Sequence, residues 1–139
     1  MHIGIPKETR DGETRVAATP ETVKKYIGGK HTVVVERGAG TAARYLDDAY
    51  EAAGATLGSA QDALGAELVM KVRAPSAAEL PHMKPGTVVV GMLDPFDAEG
   101  LEQMAGAGLV GFALEAAPRI TRAQSLDELS SQALSLIHI

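Results

Sequence analysis

A lysine inside an apolar run raises the first chemical question in this sequence. Lys71 stands within Glu67-Leu-Val-Met-Lys-Val72, near the carboxyl end of a strand-like segment, and Arg73 and Pro75 follow closely. An ammonium group is costly to bury unless an anion or a hydrogen-bond acceptor meets it. Lys71 is therefore either a ligand-facing cation or half of a structural ion pair. Arg15, in Glu13-Thr-Arg-Val-Ala17, lies between the first apolar run and a helix start signal. A guanidinium there can hold a carboxylate or phosphate through two parallel hydrogen bonds, and a solvated or ion-paired arginine is the plain alternative. Asp94, in Leu93-Asp-Pro-Phe96, reads as the turn or capping aspartate that Asp-Pro commonly supplies.

A second polar constellation lies late in the chain, in Pro118-Arg-Ile-Thr-Arg-Ala-Gln-Ser-Leu-Asp127 and on through Ser130 and Ser131. In a helix, Gln124, Asp127 and Ser130 or Ser131 share a face, as residues three and four apart do. Their amide, carboxylate and hydroxyl groups could pair with the amides and hydroxyls of a ligand. An ordinary helix start, capped by Thr121 or Ser125, explains the same residues without a ligand.

Two glycine patterns fit the letters of a dinucleotide fingerprint. Gly38-Ala-Gly-Thr-Ala-Ala43 follows a strand-like run, but Glu36 and Arg37 intervene and no convincing helix starts at the glycines. A phosphate loop needs a helix N-terminus there, so a tight turn is the better reading. Gly106-Ala-Gly-Leu-Val-Gly111 lies between a helical stretch and the following strand, the reverse order, and reads as a helix C-terminal cap.

The elements that must position these residues follow from hydrophobic pattern. Continuous apolar runs at His2-Ile5, Thr32-Glu36, Glu67-Val72, Thr87-Met92 and Leu109-Leu114 suit strands covered on both faces, as in a parallel sheet. Helical spacing occupies Pro20-Ile27, Asp47-Ala53, Ala60-Leu64, Ala77-Met83 and Asp97-Ala107, with Thr19 as cap and Pro20 at the first helical position. This alternation predicts an α/β domain with an open, mostly parallel wound sheet and flanking helices.

Bulk composition excludes several function classes. The 139 residues carry 13 basic and 18 acidic side chains, a net charge of −5, with no basic run, so nucleic acid is disfavoured as a partner. There are no cysteines and the four histidines are scattered, which argues against a metal centre. No window reaches the roughly 20 apolar residues that span a bilayer.

The last six residues, Leu134-Ser-Leu-Ile-His-Ile139, break the helical register begun at Ser125. They are what CTG TCT CTT ATA CAC ATC would encode, the end sequence ligated to DNA in a common sequencing-library method. We therefore expect residues 134–139 to be a non-native tail on a domain spanning 1–133.

Three stretches resemble a known family: Gly4-Ile-Pro-Lys-Glu-Thr-Arg10, Glu13-Thr-Arg-Val-Ala-Ala-Thr-Pro20 and Pro118 to Asp127. Together they are similar to the front end of the alpha subunit of proton-translocating NAD(P) transhydrogenases, over residues 1–133. The first two stretches are shared with alanine dehydrogenases, in which the positions matching Arg15 and Lys71 hold the carboxylate and carbonyl of pyruvate or alanine. Alanine dehydrogenases carry a catalytic histidine where this chain has Asp94, so the resemblance leaves an alanine dehydrogenase-type enzyme as the second reading.

The transhydrogenase resemblance implies hydride transfer between NADH and NADP⁺, coupled to proton translocation. Arg119, Gln124 and Asp127 match the loop beside the nicotinamide of NAD(H), and Ser130 matches a nearby contact. The resemblance further implies a homodimer of the alpha subunit, an NADP(H)-binding beta subunit or domain, a membrane domain, no metal, and a cytoplasmic place at the membrane periphery. The Rossmann-type domain with its pyrophosphate-binding glycines would follow residue 133. Without it, the chain alone is expected to be inactive and marginally stable as a monomer.

Overall fold

The computed structural model describes residues 1–94 and 97–114. Six short strands, β1 (His2–Ile5), β2 (Thr32–Glu36), β3 (Thr56–Gly58), β4 (Leu68–Arg73), β5 (Val88–Met92) and β6 (Val110–Ala113), form one sheet in the order β3-β2-β1-β4-β5-β6. Every neighbouring pair is parallel. Parallel strands need crossover connections, and helices α1 (Pro20–Gly28), α2 (Asp47–Ala52), α3 (Ala60–Leu64) and α4 (Ala98–Gly106) lie within them. The open, wound α/β architecture read from the sequence is the one observed.

Both faces of the inner strands are covered, which is why these strands read as unbroken apolar runs, whereas β6 at the edge is only partly buried. Ile3, Ile5, Val35, Leu68 and Met70 pack in one cluster with Tyr26 of α1 and Tyr50 of α2. On the opposite side, Val69 and Val89 join Leu64 of α3 and Met104 of α4. Successive residues of β4 thus enter different clusters, as the two-residue strand period requires.

Local signals set the helix ends. Thr19 accepts a hydrogen bond from the Thr22 amide at 3.2 Å, and Pro20 opens α1. Ser59 and Asp62 form a reciprocal capping box on α3. Asp97 caps α4 through the Gly100 amide at 3.1 Å.

Two expectations are corrected. The stretch Ala77–Met83 forms only a 3₁₀ turn, Leu80–His82, because Pro81 lacks the amide that an α-helix would use there. Thr56–Gly58 was not expected as a strand; its three residues are too short for a hydrophobic pattern, yet they pair with β2 at the sheet edge.

Candidate functional site

The strand order reverses direction between β1 and β4, where the chain winds outward both ways. In open α/β sheets ligands bind in the crevice at such a switch point, outside the carboxyl ends of the strands. Lys71 and Arg73 sit at that end of β4, and the loop after β1 brings Glu8, Glu13 and Arg15 to the same place.

Lys71 is fully buried and ion-paired. Its ammonium lies 3.0 Å from Glu79 Oε2 and 3.4 Å from Glu8 Oε1. Glu8 is buried too, and its carboxylate accepts hydrogen bonds from the Val72 and Arg73 amides, each at 3.1 Å. Burial raises the Glu8 pKa above the ordinary carboxylate value, against the lowering influence of Lys71 and the two amides. Glu79 is held in turn by the Ser76 amide at 2.9 Å. Of the two readings of Lys71, the structural ion pair is the arrangement present. Its partners come from 63 residues before it and eight after it, counting from Lys71 to Glu8 and to Glu79, so no sequence window could contain all three.

Arg15 is about half exposed and grips Glu13 along one edge, Nε to Oε2 at 2.8 Å and Nη2 to Oε1 at 2.9 Å. Arg73 Nη1 lies 3.8 Å from the same Glu13 Oε1. The hydrogen bond from Arg15 is the main reason the Glu13 pKa falls to about 2. Glu8 also contributes to holding Arg15 protonated, so the two ion clusters are electrostatic neighbours.

The two glutamates should therefore titrate in opposite directions. A carboxylate-resolved NMR titration is expected to place Glu13 near about 2 and Glu8 above the ordinary 4.5. By linkage, the stabilisation from Glu13 is complete above pH 4.5 and is lost as pH falls towards about 2. The raised pKa of Glu8 has the opposite sign: its contribution is complete below 4.5 and is lost as pH rises through the folded value. Coincident midpoints for the two groups would contradict this arrangement.

The remaining sequence candidates fall as follows. Asp94 occupies a left-handed turn with φ of 52°, and its carbonyl accepts the Asp97 amide, while Asp97 rather than Asp94 caps α4. The Gly38 amide donates to Asp47 Oδ1 at 2.9 Å, and Gly40 lies so close to the Tyr50 ring that no side chain would fit. A 3₁₀ turn follows these glycines and α2 begins only at Asp47, so this is a packed turn and not a phosphate cradle. Gly108, with φ of 75°, lies in the turn that ends α4, as its pattern suggested. Arg119, Gln124, Asp127, Ser130 and the tail 134–139 lie outside the described residues.

The family described as "Alanine dehydrogenase/PNT, N-terminal domain" matches residues 4–135. The chain belongs to this family. It is 44% identical over 140 residues to the first portion of the NAD(P) transhydrogenase subunit alpha of Rhodospirillum rubrum, covering 95% of this chain and 36% of that relative. Alanine dehydrogenase 1 of Staphylococcus aureus is 34% identical over 132 residues, covering 94% of this chain and 36% of that relative. The transhydrogenase structure from Sinorhizobium meliloti superposes with a TM-score of 0.85 at 49% identity, over 96% of this chain and 40% of that one. An L-alanine dehydrogenase structure superposes at 0.81 and 35% identity, over 91% of this chain and 35% of that one.

This family member thus spans little more than a third of those relatives, and the region it matches is the amino-terminal domain. Between the two branches of the family, the alpha-subunit relatives share more of its sequence, 44% against 34%. Among the described residues no helix is long and apolar enough to cross a membrane.

Proposed function

We propose that this chain is the amino-terminal piece of a proton-translocating NAD(P) transhydrogenase alpha subunit. The observation that carries the reading is the 44% identity to a transhydrogenase alpha subunit across 95% of the chain. Aspartate at position 94, in a backbone turn, supports it against an amino-acid dehydrogenase, whose general acid/base would be a histidine at that place.

In the whole protein, bound NAD(H) supplies the hydride chemistry. The chain's own contribution is orientation. Arg119, Gln124 and Asp127, with Ser130 beside them, have the hydrogen-bonding types that suit a nicotinamide ring and its ribose, and fixing their geometry removes orientational freedom before transfer. Arg15 and Lys71 mark the pocket that alanine dehydrogenases use for substrate. In this chain Lys71 is withdrawn into its ion cluster and Arg15 keeps an exposed face. The proposed assembly is a homodimer of alpha subunits, with a beta subunit or domain carrying NADP(H) and a membrane domain for proton movement, placing this piece on the cytoplasmic side of the membrane.

The test uses the complete transhydrogenase assembled from the extended gene. Gln124→Ala, Asp127→Asn and Arg119→Ala are each expected to slow hydride transfer from NADH to an NADP⁺ analogue by roughly 10- to 100-fold. The 139-residue chain alone should transfer none. Unchanged transfer in all three variants, or alanine oxidation by the complete enzyme, would overturn the reading.

A further inference from the structure

The main-chain pairing between β1 and β4 stops early. Its register joins Ile3 to Leu68 and Gly4 to Val69, whereas β1 stays paired with β2 through Ile5 and β4 with β5 through Arg73. Beyond Gly4 the seam is closed by a side chain. On the β5 side, Met70 pairs with Val90 and Arg73 with Met92, so Lys71 and Val72 together oppose Gly91 in a β-bulge. The bulge presents two successive amides to the loop after β1. Val72 donates to Glu8 Oε2 and Arg73 to Glu8 Oε1, each at 3.1 Å.

Glu8 can hold both amides fully only while it is ionised. A carboxylate accepts on both oxygens, whereas a carboxylic acid turns one of them into a donor. A proton on Oε2 therefore competes with the Val72 amide, and a proton on Oε1 with the Arg73 amide and Lys71. The surrounding charge favours taking up that proton. Glu8, Lys71 and Glu79 are all buried, and two carboxylates against one ammonium leave one negative charge in excess. Glu79 is nearer to the ammonium, at 3.0 Å against 3.4 Å, and also accepts the Ser76 amide, so the excess falls on Glu8. The other charges around it are Arg15 and Glu13 of its own loop and Arg73 of β4, of which Arg15 is electrostatically coupled to Glu8.

We propose that Glu8 is a proton-operated latch on the seam between β1 and β4. Ionised, it fastens the loop after β1 to the bulge; protonated, it releases one bulge amide, and the loop that carries Glu13 and Arg15 moves away from β4. Among the described residues, the other polar ties of this loop to the end of β4 lie at the surface. Arg10 Nη2 donates to the Ala74 carbonyl at 3.0 Å, and Glu13 stands 3.8 Å from Arg73. Burial places the folded pKa of Glu8 above 4.5, so the neutral form is favoured by the fold and the seam opens without melting the sheet. The latch belongs to the chain's own ion cluster, whichever reaction the whole protein performs.

The test uses the full 139-residue chain. Glu8→Gln gives the latch a neutral side chain of the same shape. At pH 7 it is expected to speed hydrogen exchange at the Val72 or Arg73 amide about tenfold, the size of one lost hydrogen bond to a charged group, and to leave the amides of β2 unchanged. In the parent chain, NMR signals of the Val72 and Arg73 amides should titrate with one shared midpoint above 4.5, and the Gly12 amide, in the same loop but outside the cluster, should follow it. Glu79→Gln removes the excess negative charge, so the midpoint should move to lower pH. A Gly12 signal that stays flat through the Glu8 titration would overturn the latch, because the loop then stays in place. Exchange that rises equally in β2 would overturn it too, as general loss of structure. An unmoved midpoint in Glu79→Gln would overturn the charge argument on which the latch depends. The parent titration and Glu79→Gln decide the matter even if Glu8→Gln does not fold.

Discussion

Lys71→Met is expected to lower stability by about 3–5 kcal/mol, read as the shift of a urea unfolding curve followed by circular dichroism. Methionine fills much the same volume, so the loss does not come from packing. It comes from Glu8 and Glu79, which would keep their buried positions without the ammonium they share at 3.4 and 3.0 Å. Small domains have only about 5–15 kcal/mol in total, so the substitution removes a large share of the stability. The sign of the pH response separates this cause from a general loss of structure. Without the cation the buried Glu8 carboxyl group, raised already by desolvation, favours the protonated form still more, and a raised folded pKa gives stability that is present below 4.5 and lost as pH rises. The variant should therefore be more stable near pH 4.5 than at pH 7. Converting all three residues together, Glu8→Gln, Lys71→Met and Glu79→Gln, should recover some of the loss, because no uncompensated charge then remains. A single variant within about 1 kcal/mol of the parent would mean that water reaches the cluster and the burial argument fails.

The same cluster shows what could and could not be read in advance. Lys71 announced itself because a charge inside Leu-Val-Met-Lys-Val is anomalous within its own segment. Its partners did not, since Glu8 and Glu79 are ordinary loop glutamates until the fold brings them to β4. Strands β1, β2, β4 and β5 were legible because burial on both faces removes polar positions from them, and the start of α1 carries Thr19. Strand β3 was illegible because three residues hold no period, and its pairing is decided by β2. The Ala77–Met83 helix failed because composition was read without weighing the missing amide of Pro81. The Glu13–Arg15 pair was open to discovery, as opposite charges two residues apart in a loop can meet, but only the fold reveals that Arg73 joins them. The nicotinamide-loop residues rest on resemblance, with no described geometry to set beside it.

Gly4→Ala is expected to cost about 3 kcal/mol or more, although it adds one methyl group. Gly4 lies in the middle of the sheet, its neighbours being Val34 on β2 and Val69 on β4. A Cβ there would run into the carbonyl of Ala63, and the Ala66 Cβ stands 3.0 Å away. Neither obstacle is the yielding tip of a long side chain. The carbonyl belongs to α3, whose capping box and fully buried Ala63 and Leu64 hold it against the sheet. To accept the methyl group, α3 must lift from β1 or β1 must leave the plane it shares with β2 and β4. The second movement would displace the loop after β1, which carries Glu8, Glu13 and Arg15, so stability and the ion clusters should fail together. Gly28→Ala provides the contrast. No atom lies within 4 Å of the added Cβ at the end of α1, and replacing a helical glycine should be neutral or stabilise by up to about 1 kcal/mol. Paired urea curves for the two variants test whether close approach at β1, rather than glycine content, is what the sheet requires. Equal midpoints would show that α3 can move off the strand at little cost, and the rigidity assigned to the switch point would then have to come from elsewhere.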